Sequence, residues 1–147
     1  MKLAIVDDNK LEQELIFNTL RTYEHERNIS LDISSYSDGN SFLNTYVPGD
    51  FDLIFMDAAK GQYIHFMPDI LRLLKTRGTL VSDNVLQDGD IIESHYAVIR
   101  RNRTIYKRMR EYLYELTHRK DLVTAVLPVG DGITVSTKVE VENDEKE

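Results

Sequence analysis

Apolar and polar positions along this chain switch between a period of two and a helical period, and the switches mark out its elements. Residues 1–6 form a short apolar run closed by Asp7 and Asp8, which predicts a buried strand with two carboxylates at its carboxyl end. Leu11, Leu15, Ile16, Thr19 and Leu20 then recur at helical spacing, with Asp8 or Asn9 placed to cap the helix. Residues 31–36 alternate at period two and predict a second strand, at an edge. Ser37-Asp38-Gly39-Asn40 breaks it and starts a short helix through Phe42, Leu43 and Tyr46. Residues 51–56, aromatic and β-branched, predict a third strand, again closed by a carboxylate, Asp57.

The second half continues the alternation. Residues 64–74 predict a helix that contains Pro68 and ends at Thr76-Arg77-Gly78 as at a C-terminal glycine. Residues 79–82 predict a fourth strand, with Asp83 and Asn84 at its end. One long helix is expected over 95–117, with Val98, Ile105, Met109, Tyr112, Leu113 and Leu116 as its apolar stripe. Residues 122–128 and 132–138 predict two strands joined through Val129-Gly130-Asp131, a hairpin signal.

Alternating β and α elements place helices on both faces of a parallel sheet, and the closing hairpin adds an antiparallel strand. The expected fold is an α/β three-layer doubly wound sandwich, a flavodoxin-like and Rossmann-like hybrid. Its six-stranded, mostly parallel sheet has the order 2-1-3-4-6-5, with strand 6 alone antiparallel. A single domain over 1–147 is expected, with an acidic tail over 139–147.

Composition narrows the chemistry. With 147 residues and no cysteine, the chain has no disulfide, thiolate metal site or cysteine nucleophile. Its net charge of −7 resides wholly in residues 1–57, where eleven acidic side chains face four basic ones. That balance argues against nucleic acid as a partner. The basic run Arg100, Arg101, Arg103, Lys107, Arg108 and Arg110 is interleaved with Ile105, Tyr106 and Met109, and is expected to be the solvated face of a helix. His25, His65, His95 and His118 show no ligand spacing. No apolar run approaches the ~20 residues a membrane helix requires, and two aspartates by position 8 argue against a signal peptide. A cytoplasmic protein without membrane or nucleic-acid partners is expected.

Ligands of doubly wound sheets bind at the carboxyl ends of the strands. Here those ends carry Asp7, Asp8, Asp57, Asp83 and Asn84. Clustered carboxylates repel unless protonated or bridged by a cation, so a Mg²⁺ or Ca²⁺ site on these five residues is the expected chemistry. Lys60 is then expected as a counter-charge to the acids.

Two motif sets refine this picture. LAIVDD at 3–8 and DLIFMD at 52–57 resemble the receiver domain of bacterial response regulators, over residues 1–57. That resemblance implies Mg²⁺ on Asp7 and Asp8 and phosphoryl acceptance at Asp57. Beyond Asp57 the receiver pattern is absent, including its Lys-Pro pair. DAAKGQY at 57–63, GTLVSDNVL at 78–86 and LPVGDGITVS at 127–136 resemble the carboxyl-terminal part of metal-dependent O-methyltransferases of the catechol and caffeoyl-CoA type, over residues 57–138. Those are S-adenosylmethionine enzymes. The resemblance implies a cation on Asp57, Asp83 and Asn84, and Lys60 as the base for the substrate hydroxyl. The glycine-rich loop of such enzymes has no counterpart here, so S-adenosylmethionine binding is not expected. Taken together, the motifs lead to the expectation of an engineered chimera joined at residues 51–57. It would lack native catalysis and keep a divalent-cation pocket, with phosphoacceptor or residual methyltransferase activity as the alternatives.

Overall fold

The computed structural model describes residues 2–7, 9–86 and 103–141. Elements alternate as the periods require: β1 (Lys2–Val6), α1 (Lys10–Arg27), β2 (Asp32–Tyr36), α2 (Gly39–Thr45), β3 (Phe51–Met56), α3 (Tyr63–Leu73), β4 (Leu74–Ser82), α4 (Arg103–His118), β5 (Leu122–Leu127) and β6 (Ile133–Lys138). A 3-10 turn, Lys60–Gln62, leads into α3. The molecule is an α/β, Rossmann-like structure with a mixed strand arrangement. None of the described helices is long and apolar enough to cross a membrane.

The strands do not form one six-stranded sheet. Hydrogen bonding gives a parallel pair, β1–β2, and a separate four-stranded sheet in the order β3-β4-β6-β5, in which β6 runs antiparallel to both neighbours. The expected ladder between β1 and β3 is absent among the described residues, so the order 2-1-3-4-6-5 holds as two separate pieces, 2-1 and 3-4-6-5. Side chains bridge the two sheets instead. Ala4 packs on Tyr46, Phe51 and Leu73, and the Lys2 ammonium sits 3.3 Å from Asp50 and 4.3 Å from the centre of the Tyr46 ring.

Register explains the core. The row Met56, Ser82, Thr134 and Val126 and the row Ile54, Leu80, Ser136 and Thr124 face one side of the four-stranded sheet. On that side α3 contributes Tyr63, Met67 and Leu71, and α4 contributes Tyr106, Met109, Tyr112 and Leu116, all buried in one cluster. The opposite rows contain Leu53, Phe55, Val81, Val135, Ala125 and Val123, and here coverage is incomplete: Phe55 is 59% and Val123 64% exposed. The apolar stripe expected on α1 buries nothing; Leu11 and Leu15 are 76% and 62% exposed. Asn9, rather than Asp8, caps α1 through Leu11 N–H.

Gly78 is not a helix cap. α3 stops at Leu73 and β4 starts at once, with a register break in which residues 75–78 loop out between the pairs Phe51–Leu74 and Leu53–Thr79. Gly78 is needed because a Cβ there would lie 2.8 Å from the Lys75 carbonyl oxygen and 2.9 Å from Leu74 Cδ1. Turn chemistry for the hairpin and the end of α4 match the sequence reading, while residues 95–102 of that expected helix lie outside the described residues.

Candidate functional site at the ends of β3 and β4

β3 and β4 are parallel, with Met56 opposite Ser82, so the next residues on each strand, Asp57 and Asp83, emerge side by side. The ladder extends one bond past the strands, since Asp83 N–H donates to the Met56 carbonyl at 3.1 Å. Asn84 follows in the left-handed region, φ 54, which aims its side chain back at its neighbour. Its amide abuts the Asp83 carboxylate, one terminal atom being 3.1 Å from both oxygens. Nitrogen-first, that amide donates to the carboxylate. The nitrogen-first orientation satisfies both groups; turned oxygen-first, the amide would add a carbonyl to the carboxylates of the two strand ends, the donor types that Mg²⁺ and Ca²⁺ favour.

Two further elements hold this corner. The hairpin loop between β5 and β6 is stitched to the segment after Asn84: Val85 N–H donates to the Gly132 carbonyl and Leu86 N–H to the Asp131 carbonyl, at 2.9 and 2.8 Å. Gly132 makes this close approach possible. Its φ is +86, and a Cβ would lie 2.2 Å from Leu86 Cγ. On the other side, Lys60 stands in the 3-10 turn closed by Gln62 N–H on the Ala59 carbonyl, and Arg108 Nη1 on α4 donates to the Gly61 carbonyl at 3.1 Å.

Beneath the turn, Tyr63 is fully buried. Its hydroxyl accepts from Ala58 N–H and lies within donating distance of the Met56 and Asp83 carbonyls. Burial pushes the Tyr63 pKa up; the Ala58 bond works against that, and the Asp57 and Asp83 charges add to the rise. Tyr112 lies edge-on to it and shares a 2.6 Å hydrogen bond with Ser82, and burial again raises its pKa.

The other expected site residues lie elsewhere or outside view. Asp7 serves the start of α1: its Oδ1 accepts from Asn9 N–H, its N–H donates to the Tyr36 carbonyl, and its own carbonyl accepts from the Gln13 side chain. Asp8 lies outside the described residues. No three acidic or histidine side chains converge as a metal-binding group among the described residues. Of the five expected residues, Asp57, Asp83 and Asn84 lie at the adjacent ends of β3 and β4. The sequence reading gave Tyr63 no role, although it closes DAAKGQY, and expected Arg108 on a solvated helix face, whereas its guanidinium is part-buried on the Gly61 carbonyl.

Comparison with known proteins fixes the lineage. The O-methyltransferase family model matches residues 2–139. The chain is 31% identical over 97 residues to the caffeoyl-CoA O-methyltransferase of Eucalyptus gunnii and 33% identical over 92 residues to caffeoyl-CoA O-methyltransferase 1 of Zea mays. Those matches cover 63% and 62% of this chain but 38% and 36% of the two enzymes, so the chain matches less than half the length of these relatives. In fold it is similar to a protein from Corynebacterium glutamicum (TM-score 0.73, 20% identity, 99% of this chain and 63% of that one). It is also similar to a caffeoyl-CoA O-methyltransferase-like protein from Staphylococcus aureus (TM-score 0.67, 23% identity, 93% and 75%).

These findings correct two expectations. Nothing in them supports a receiver-derived half, and the family model runs without a break across residues 51–57, where a junction between two parents was placed. The expectation that S-adenosylmethionine is excluded also falls, because solved relatives of this fold hold it or its product. The Podospora anserina methyltransferase is bound to S-adenosylhomocysteine, as is the Bacillus cereus O-methyltransferase. The absence of a glycine-rich loop was too local a criterion for cofactor exclusion. With one family model spanning the chain from its first strand past its last, the chain belongs to the O-methyltransferase family.

Proposed function

We infer that this chain provides the cation-and-base corner of an S-adenosylmethionine-dependent O-methyltransferase acting on an aromatic substrate with neighbouring hydroxyls, as the caffeoyl-CoA relatives do by name. The observation that carries this reading is the β3–β4 register, which brings Asp57 beside Asp83 and Asn84. Asp57, Asp83 and Asn84 would hold a divalent cation, which in such a site draws the substrate hydroxyl oxygens and favours their ionised form. Lys60, three residues beyond Asp57 on the turn that Arg108 braces, would receive the hydroxyl proton on the lone pair of its neutral Nζ amine.

The same corner would orient the acceptor by drawing its hydroxyl oxygens to the strand ends. Such positioning supplies much of the rate of a transfer between two bound partners. For the donor, Asp7 stands at the carboxyl end of β1 with carboxylate acceptor capacity beyond its Asn9 bond, and a strand-end acid is suited to ribose hydroxyls.

Calorimetric titration of the chain with S-adenosylmethionine, with and without Mg²⁺, tests this reading, followed by transfer of labelled methyl to catechol. We expect saturable binding and transfer that Asp83→Ala abolishes. A flat titration under both conditions would refute it.

A further inference from the structure

Resting on the cation-site reading above, we propose that Tyr63 is a positioning residue: its buried hydroxyl fixes the separation of Asp57 and Asp83 by gripping the backbone beside both. The hydroxyl lies 3.3 Å from Ala58 N, 3.3 Å from the Met56 carbonyl oxygen and 3.1 Å from the Asp83 carbonyl oxygen. Met56 and Ala58 are the residues on either side of Asp57, so one oxygen atom touches the chain before and after the first ligand and the carbonyl of the second.

The chemistry of a phenol suits this place. It has one proton to give and lone pairs to receive; Ala58 N–H takes a lone pair, and the proton is shared between the two carbonyls. Removing the hydroxyl would leave the Met56 carbonyl its bond from Asp83 N–H, so the ladder survives. What is lost is the hold on Ala58 N–H and on the Asp83 carbonyl, the two groups whose positions set where the carboxylates emerge. Phenylalanine would keep the ring, its edge contact with Tyr112 at 5.4 Å and the filled core. The spacing in DAAKGQY follows from this role: residues 58–62 carry Lys60 out and bring the chain back so that Tyr63 starts α3 directly under Asp57.

Mn²⁺ alone is the probe, its free concentration read by electron paramagnetic resonance against the purified chain. Outer partners of metal ligands typically contribute 10–100-fold to affinity, so Tyr63→Phe should weaken Mn²⁺ binding by about tenfold. Tyr112→Phe is the control. It also removes a buried tyrosine hydroxyl, but one bonded to the Ser82 side chain, and it should leave Mn²⁺ affinity within about twofold.

Hydrogen exchange gives a second readout: Ala58 N–H should exchange faster in Tyr63→Phe while amides in the β4–β6 ladder keep their protection. If the parent chain binds Mn²⁺, Asp83→Ala does not, and Tyr63→Phe binds as tightly as the parent, the positioning role is overturned and the cation site stands. Equal weakening in both tyrosine variants overturns it too, since the effect would then be general softening. If the parent chain itself binds no Mn²⁺, the cation site is lost and this role with it.

Discussion

Two glycines of one hairpin loop allow a local contact to be weighed against backbone conformation. Gly130 and Gly132 both have positive φ, +55 and +86, but a Cβ on Gly130 meets nothing within 4 Å, whereas one on Gly132 runs into Leu86 Cγ at 2.2 Å and Leu86 Cβ at 2.7 Å. Gly130→Ala should therefore carry only the left-handed penalty, ~1–2 kcal/mol. Gly132→Ala carries the same penalty plus the strain of an overpacked site, ~1–3 kcal/mol, because Leu86 is anchored by its own N–H on Asp131 and cannot simply withdraw. The expected gap between the variants is ~1–3 kcal/mol. Urea unfolding followed by far-ultraviolet circular dichroism reads it as a midpoint difference on the order of 1 M, for a slope of roughly 2 kcal/mol per M. Midpoints that coincide would refute the reasoning and show that the segment after Asn84 yields freely.

Thr134 Oγ1 is buried without a hydrogen-bond partner among the described residues, so Thr134→Val, which removes that polar atom at nearly constant shape, should leave the melting temperature unchanged or raise it, by ~1 kcal/mol equivalent; a clear loss would reveal a partner. Tyr112→Phe strands the buried Ser82 hydroxyl and should cost ~1–3 kcal/mol, and adding Ser82→Ala should recover part of that in a double-mutant cycle. The Arg119 guanidinium grips Asp121 through two 2.8 Å bonds and pulls its pKa below the usual 3.8, so this pair supports the fold above about pH 4 and stops doing so as the pH falls through the lowered value. Urea midpoints measured from pH 6 to 2 should show an acid limb that Asp121→Asn flattens. Magnesium at ten times its dissociation constant should stabilise the chain by ~1.4 kcal/mol through mass action, and Asp83→Ala should remove that shift in a thermal melt.

What the sequence made legible was local. Strand-end acids, the hairpin glycines and the motif DAAKGQY each depend on spacing within a few residues, whereas the adjacency of the strand ends that carry Asp57 and Asp83 comes from the β3–β4 pairing. Less legible was anything decided between distant segments. Gly78 reads as a helix cap in a window of ten residues, but the close approach of the Lys75 carbonyl within a looped-out strand is what requires it. Leu11, Leu15 and Ile16 form a proper apolar stripe, yet periodicity does not say whether a surface exists to receive it, and α1 stays uncovered. The stripe on α4 holds at Met109, Tyr112, Leu113 and Leu116, but at its start Tyr106 rather than Ile105 reaches the cluster built by α3. The acids Asp7 and Asp57 look equivalent in sequence, but Asp7 bonds to Asn9 N–H at the start of α1 while Asp57 follows the Met56–Ser82 pair at the end of β3.

That missing ladder divides the molecule's cooperativity. Among the described residues no ladder joins β1 to β3, and β1 and β2 meet the four-stranded sheet at an aromatic knot and the Lys2–Asp50 pair, so they are expected to open as a sub-global unit at a lower free energy than the sheet itself. The strand ends bearing Asp57 and Asp83 would keep their geometry through such an opening. A nucleoside ligand that touched Asp7 and the β3–β4 corner together would weld the two units, and its binding energy would appear as slowed amide exchange in β1 and β2 with little change in β4 and β6. For such a ligand, affinity would be tied to a folding equilibrium of the first forty residues.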